Sequence, residues 1–230
     1  MRVASLICGA VLAALTAAGP ATAGQWDGFY AGFNGGNASA SELVTAKIFS
    51  FLSNPGQSFP STFSSDLYGG QLGWNRQAGP LLFGIEGTVD GASMSQFQVG
   101  VLQPGTFPDD QFTTSLTDFA TITGRLGLTS GSWLGYVKGG FAVATVGLDV
   151  LHTPPPHPFP QFTQGSTEAT GWTAGVGVEK MFGGRFIVGI EYDRAQLAGS
   201  LTTDGTAGAP FDISDIVVSS VVGRVSIKLP

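Results

Sequence analysis

The run LLFGIEGTVD, Leu81 to Asp90, places one carboxylate, Glu86, at the centre of a segment otherwise apolar or small until its last position. Two other stretches repeat the pattern: TITGRLGLT carries Arg125 and GYVKGGFAV carries Lys138. Only 11% of the residues are charged, so each such placement needs a reason. A lone charge in a soluble core is very costly. The two faces of each segment therefore decide what kind of protein this is.

Successive side chains of a strand point to opposite sides. In 81–93 one side carries Phe83, Ile85, Gly87 and Val89, and the other Gly84, Glu86, Thr88 and Asp90. Around Val176 the split is Trp172, Ala174, Val176 and Val178 against Thr173, Gly175, Gly177 and Glu179. Phe186, Val188, Ile190 and Tyr192 likewise oppose Gly189, Glu191 and Asp193, and Ile122, Leu126 and Leu128 oppose Thr121, Thr123 and Arg125. Two segments mix their faces: Leu134 and Tyr136 share a side with Lys138, and Val222 shares one with Arg224.

Eight strands are predicted: 27–38, 64–77, 81–93, 115–129, 133–147, 167–182, 185–197 and 213–229. Three connections are tight (QAGP at 77–80, SGS at 130–132, FGGR at 182–185) and four are long (39–63, 94–114, 148–166, 198–212). Short and long alternate strictly. That is the layout of an eight-stranded antiparallel up-and-down transmembrane β-barrel, with short periplasmic turns, long extracellular loops and both termini on the short-turn side. A soluble sandwich with one wet face would also alternate, but these polar faces are rich in glycine and poor in lysine and glutamate.

Glu86, Arg125, Lys138, Glu179, Glu191 and Arg224 lie at similar distances from the tight turns or the chain end, one on each strand from the third to the eighth. The interior of an eight-stranded barrel is just wide enough for side chains to fill. The six are expected to meet there as a neutral structural belt, with glycines making room. Trp74, Phe83, Trp133, Phe182 and Phe186 sit near the tight turns, where an interfacial aromatic girdle belongs.

Composition agrees. A mean hydropathy of +0.23 comes with no apolar run, past the N-terminus, of the ~20 residues a membrane helix needs. A net charge of −6 with 10 Lys+Arg argues against a nucleic-acid partner. Residues 1–23 read as a secretory signal peptide: Met1-Arg2, an apolar stretch from Leu6 to Ala18, and Ala21-Thr22-Ala23 before the cleavage point. This leaves 24–230 as the barrel domain. The single cysteine, Cys8, falls in the leader, so disulfides do not stabilise the exported chain.

No catalytic, cofactor or metal site is predicted. His152 and His157, in HTPPPHPFP, are two imidazoles without cysteine or a clear carboxylate partner, short of the three or four ligands of a zinc site. No GxSxG elbow is present. Gly175-Val176-Gly177 lacks the third glycine and the helix of a dinucleotide fingerprint.

WDGFYAGFNGG (Trp26–Gly36) resembles the opening strand of the small alphaproteobacterial outer-membrane barrels, the porin-like immunogenic surface proteins related to the barrel domain of outer-membrane protein A. YVKGGFA (Tyr136–Ala142), GWTAGVGVE (Gly171–Glu179) and IEYDRAQL (Ile190–Leu197) resemble later strands of that family. The resemblance implies an outer-membrane protein without enzymatic activity that serves envelope integrity and surface presentation. A narrow porin and a loop-borne binding or adhesion module are the alternatives. It implies outer-membrane lipid and lipopolysaccharide as partners, and the barrel-assembly machinery during insertion. The family's terminal aromatic is replaced here by Leu229, followed by Pro230.

Overall fold

A computed structural model describes residues 24–46, 56, 58–92, 94–99, 111–152, 161–202 and 210–230. The segment read as a leader, with Cys8, and most of the long connections, with His157, lie outside the described residues.

The alternating segments form strands β1 (Gly28–Ala46), β2 (Ser58–Ala78), β3 (Leu81–Ala92), β4 (Met94–Val99), β5 (Gln111–Ser130), β6 (Trp133–His152), β7 (Gln161–Phe182), β8 (Phe186–Thr202) and β9 (Pro210–Lys228). Every pairing is antiparallel, and β1 against β9 closes the ring. Both β3 and β4 pair with β5, one above the other, so nine segments make eight staves. The tight turns close on glycines in the left-handed region, Gly79 (φ 63°), Gly131 (57°), Gly183 (58°) and Gly184 (69°), where a Cβ is disfavoured. The start of β1 and the end of β9 meet at this rim: Leu229 N donates to the Phe29 carbonyl (2.7 Å), and Lys228 Nζ to that of Gln25 (2.9 Å). Towards the other rim, β2 above Leu67 has ladder hydrogen bonds only to β1 among the described residues. There Gln98 Nε2 donates to the Pro60 carbonyl (3.1 Å), and the Ser61 and Thr114 hydroxyls lie 3.3 Å apart.

The outside carries an apolar band, and beyond it Phe97 and Val99 on β4 are also exposed. Phe83, Trp133 and Phe186 are exposed near the tight turns, and Phe33, Tyr68, Phe141, Trp172 and Tyr192 further up. Trp133 and Phe141 are eight residues apart on β6. At ~3.3 Å per residue and a tilt of ~40° they stand ~20 Å apart along the barrel axis. Between them Val137, Val176 and Ile190 point outward, each more than half exposed, as lipid-facing residues do.

Above this band the pattern inverts. On β6 the outer side continues as Thr145, Gly147 and Asp149, while Ala144, Val146, Leu148 and Val150 turn inward and are buried. From Val143 to His152 the strand runs another nine residues, ~23 Å past the lipid at the same pitch and tilt. Every strand bordering a long connection except β3 is several residues longer there than its predicted range, and β4 takes up the start of the expected 94–114 loop. The described parts of the Ser- and Thr-rich stretches expected as loops are strands whose apolar side, β4 apart, faces the core. A reading tuned to apolar-out strands stops at the lipid boundary.

The lumen is layered. Trp26, Tyr30, Leu82, Leu134, Tyr136, Met181 and Ile187 fill its tight-turn end. A larger apolar cluster that includes Met94, Phe112, Leu116, Leu148, Leu197 and Ile216 fills the protruding end. The faces that mixed apolar with charged residues are explained: Leu134, Tyr136 and Val222 all point inward, into these clusters.

Val176→Arg or Ile190→Arg is expected to cost ~2–4 kcal/mol in lipid vesicles, the depth-dependent penalty for arginine on the lipid face. Val176→Leu is expected to be nearly neutral. Urea unfolding of the vesicle-inserted protein measures the difference, and equal stability of the Arg and Leu variants contradicts the lipid-facing assignment.

Candidate functional site

Between the two apolar layers lie the charges. The structure places Glu86, Arg125, Lys138, Glu179, Glu191 and Arg224 on the inner face, all buried, and joins them in one network. Glu86 is its hub. It accepts from Tyr30 Oη (2.7 Å), Arg125 Nη1 (3.3 Å) and both terminal nitrogens of Arg224 (Nη1 at 3.0 Å), and Lys138 Nζ lies 3.6 Å away. Glu191 accepts from Tyr136 Oη (2.5 Å), Lys138 Nζ (2.7 Å) and Arg224 Nη1. Glu179 accepts from Arg125 Nη2 at 3.0 Å and faces Arg224 Nε at 3.5 Å. The Arg125 guanidinium also stacks 3.8 Å over the Tyr136 ring, a cation–π contact strengthened by desolvation.

Register explains the proximity. Glu86 is opposite Thr123 and Gly84 opposite Arg125, so acid and base are diagonal neighbours on one face of adjacent strands. The tyrosines are placed by glycine. Tyr30 is opposite Gly73 and Tyr136 opposite Gly177, and a Cβ on either glycine would collide with the ring beside it. Each ring lies across the bare backbone and carries its hydroxyl to a carboxylate. Gly177, half of the weak dinucleotide match, thus serves packing.

The expected neutrality needs correction. Asp90, buried, and Asp193, half-buried, enter the lumen at the same level. The belt therefore holds Glu86, Asp90, Glu179, Glu191 and Asp193 against Arg125, Lys138 and Arg224, five acids to three bases. Tyr30 and Tyr136 also belong to it, and the sequence does not single them out. Their signal, a tyrosine facing a glycine on the next strand, emerges only once register is known.

A further buried acid lies in the protruding part. Glu42 on β1 is opposite Ser61, and neither of its carboxylate oxygens has a hydrogen-bond partner. Burial pushes its pKa from 4.5 to about 7, opposed only by the neighbouring Thr114 hydroxyl. Among the described residues no group of three or more His, Cys, Asp or Glu side chains could hold a metal ion. What the belt does chemically is cross-link staves by charge-assisted hydrogen bonds, which are about twice as strong as neutral ones.

The family described as "Outer membrane protein beta-barrel domain" matches residues 8–218. A search of curated proteins finds no match. Among solved structures, outer membrane protein OprG from Pseudomonas aeruginosa is 12% identical, with a TM-score of 0.57, over 88% of this chain and 98% of that one. The attachment invasion locus protein Ail of Yersinia pestis is 10% identical (TM-score 0.42; 88% and 99% covered). The outer membrane protease OmpT from Escherichia coli is 11% identical (TM-score 0.43; 89% and 97% covered). At such identities the likeness to OprG speaks for fold alone.

Glu86→Gln and Arg125→Met are each expected to cost ~3–5 kcal/mol, because either leaves a buried charge uncompensated. The double variant is expected to cost clearly less than their sum. Urea unfolding in vesicles reads the cycle, and additive effects below ~1 kcal/mol, as for exposed pairs, contradict a dry belt.

Glu42 gives a pH dependence of defined sign. The folded carboxyl keeps its proton up to about pH 7, whereas the unfolded one loses it near 4.5. This contribution is complete below pH 4.5 and is lost as pH rises through 7. The urea midpoint is expected to fall between about pH 5 and 8, and Glu42→Gln to flatten that slope. An unchanged slope in the variant contradicts the assignment.

Proposed function

The chain belongs to the outer-membrane protein β-barrel family, and from that premise we propose that it is a non-enzymatic envelope protein, serving integrity and surface presentation. One observation carries this reading: among the described residues the lumen is occupied by an apolar layer, a buried ionic belt and a second apolar layer. Water-filled channels belong to much larger barrels. The belt's role is then structural, replacing the solvent a channel would hold.

The strands continuing past the lipid support presentation. They form an internally packed collar beyond the lipid band, a suitable base for presenting the connections between them. The apolar outer band, with aromatics at both edges, suits outer-membrane lipid, and lipopolysaccharide is the partner expected at the upper edge, around Phe141 and Trp172. Export would follow cleavage of residues 1–23, with the barrel-assembly machinery inserting the remainder.

Single-channel recording on the refolded protein in planar bilayers tests the sealed lumen against the narrow-porin alternative. The expected result is a flat baseline with no discrete steps, while Glu86→Gln with Arg224→Met opens measurable conductance. Regular, voltage-stable steps from the unaltered protein overturn the reading.

A further inference from the structure

Charge on the outer side of the barrel is segregated. Among the described residues Asp66, Asp118, Asp149 and Glu168 are exposed above the lipid band, whereas the tight-turn rim carries Arg76, Lys180, Arg185 and Lys228 against one acid, Asp27. A surface made only for water intersperses both signs. Two of the four bases are committed: Arg76 faces Asp27 at 3.6 Å, and Lys228 Nζ donates to the Gln25 carbonyl at 2.9 Å. Lys180 and Arg185 have no ion pair among the described residues. Glu179, next to Lys180 in sequence, points into the lumen, where Arg125 holds it at 3.0 Å.

Lys180 is set into the lipid-facing side. It is half-buried and shares the outer face of β7 with Val176, Val178 and Phe182. Register puts it opposite Trp133 on β6 and Val188 on β8, both exposed. Its Nζ lies 4.8 Å from the centroid of the Trp133 ring and 5.2 Å from that of Phe182. The two ring faces attract the ammonium but carry no net charge, and its three N–H donors meet no protein carboxylate among the described residues. Arg185 follows in the next turn, exposed. Its N–H donates to the Phe182 carbonyl (3.2 Å), and its own carbonyl accepts from Lys228 N (2.9 Å), which fixes the turn beside Phe182.

A cation held at the hydrocarbon edge needs counter-charge, and this one faces the headgroup layer of the periplasmic leaflet. A zwitterionic headgroup brings its own ammonium against Lys180 and Arg185, and a net-negative one does not. Clustered bases beside a membrane favour anionic lipid for that reason. We propose that Lys180, Arg185 and the Trp133 and Phe182 rings form a binding site for one anionic glycerophospholipid of that leaflet. The phosphodiester sits between ammonium and guanidinium, the guanidinium engaging it through paired N–H groups. An acyl chain runs up the outer face over Val178 and Val188. The site fixes the height of the tight-turn rim in the leaflet. It rests on the outer-membrane reading, which the Arg and Leu variants of Val176 test on their own.

Trp74→Phe with Trp172→Phe leaves Trp133 and the lumen-buried Trp26 as the emitters. This protein is refolded into phosphatidylcholine vesicles that contain brominated phosphatidylglycerol or, at equal mole fraction, brominated phosphatidylcholine. Heat-modifiable gel migration checks folding. The expected result is half-maximal quenching at a several-fold lower fraction of brominated phosphatidylglycerol. Lys180→Gln/Arg185→Gln should bring the two lipids to parity, and Lys180→Arg/Arg185→Lys should restore the difference. Arg76→Gln/Lys228→Gln, which removes the same charge from the same rim, is expected to keep the preference. Equal quenching by both lipids in the protein with its bases intact overturns the proposal. So does an equal loss of preference in the two glutamine pairs, because a diffuse field would then be acting. If Lys180→Gln/Arg185→Gln does not fold, Trp133→Phe with Trp172→Phe moves the reporter to Trp74, beside Arg76. Parity there upholds the site, and a preference as large as at Trp133 overturns it.

Discussion

Closing eight staves into a ring leaves an interior too narrow for bulk water and too wide for glycine alone, and every charge placed there must find its partner across the lumen. The ion-pair belt around Glu86 answers that constraint. One carboxylate meets two guanidiniums and a tyrosine hydroxyl by hydrogen bonds, with an ammonium 3.6 Å away. Groups from β1, β3, β5, β6, β7, β8 and β9 are thereby linked. A network of this kind is not an efficient way to add stability, since apolar replacements can do as well. What it supplies is register. Six of the eight staves offer a charged belt position, and a slip of one residue on any of them would turn that charge towards lipid.

The molecule also changes solvent along its length, and the strands keep their geometry while the meaning of their faces reverses. Within the lipid band Val137 and Phe141 face out and Lys138 faces in; above it Val146 and Leu148 face in and Asp149 faces out. The protruding collar is thus an ordinary hydrophobic core wrapped by one sheet, stacked on a belt of the opposite polarity. Burial of Phe112, Leu116 and Leu148 gives the collar a rigidity of its own, each fully buried side chain of this size contributing ~1.5–3 kcal/mol by removal from water.

Much of this is legible in the residues. Alternation in β3, β7 and β8 tells inside from outside, the glycine-bearing tight turns fix the hairpins, and the six belt residues stand out as isolated charges on small-residue faces. Strand ends above the lipid are not legible, because Ser39, Ala40 and Ser41 read as a loop until their neighbours turn Ala38, Ala40 and Val44 inward. Nor is the partnership of Tyr30 and Tyr136 with Glu86 and Glu191, which depends on which glycine stands opposite each ring. Alternation puts Asp90 and Asp193 on the correct face, but that Asp193 reaches Lys138 while Asp90 has no ion pair among the described residues shows only when the bases have been assigned.

The central claim is that the belt is dry and mutually hydrogen-bonded. Side-chain hydrogen exchange at Arg125 and Arg224, followed by NMR on the protein in lipid nanodiscs, reaches it most directly. Guanidinium protons held in buried carboxylate contacts are predicted to exchange orders of magnitude more slowly than those of Arg194 on the outer surface, and to remain visible at neutral pH. Exchange of all three at the same solvent-limited rate would mean a hydrated lumen, and the account built on the belt would fail.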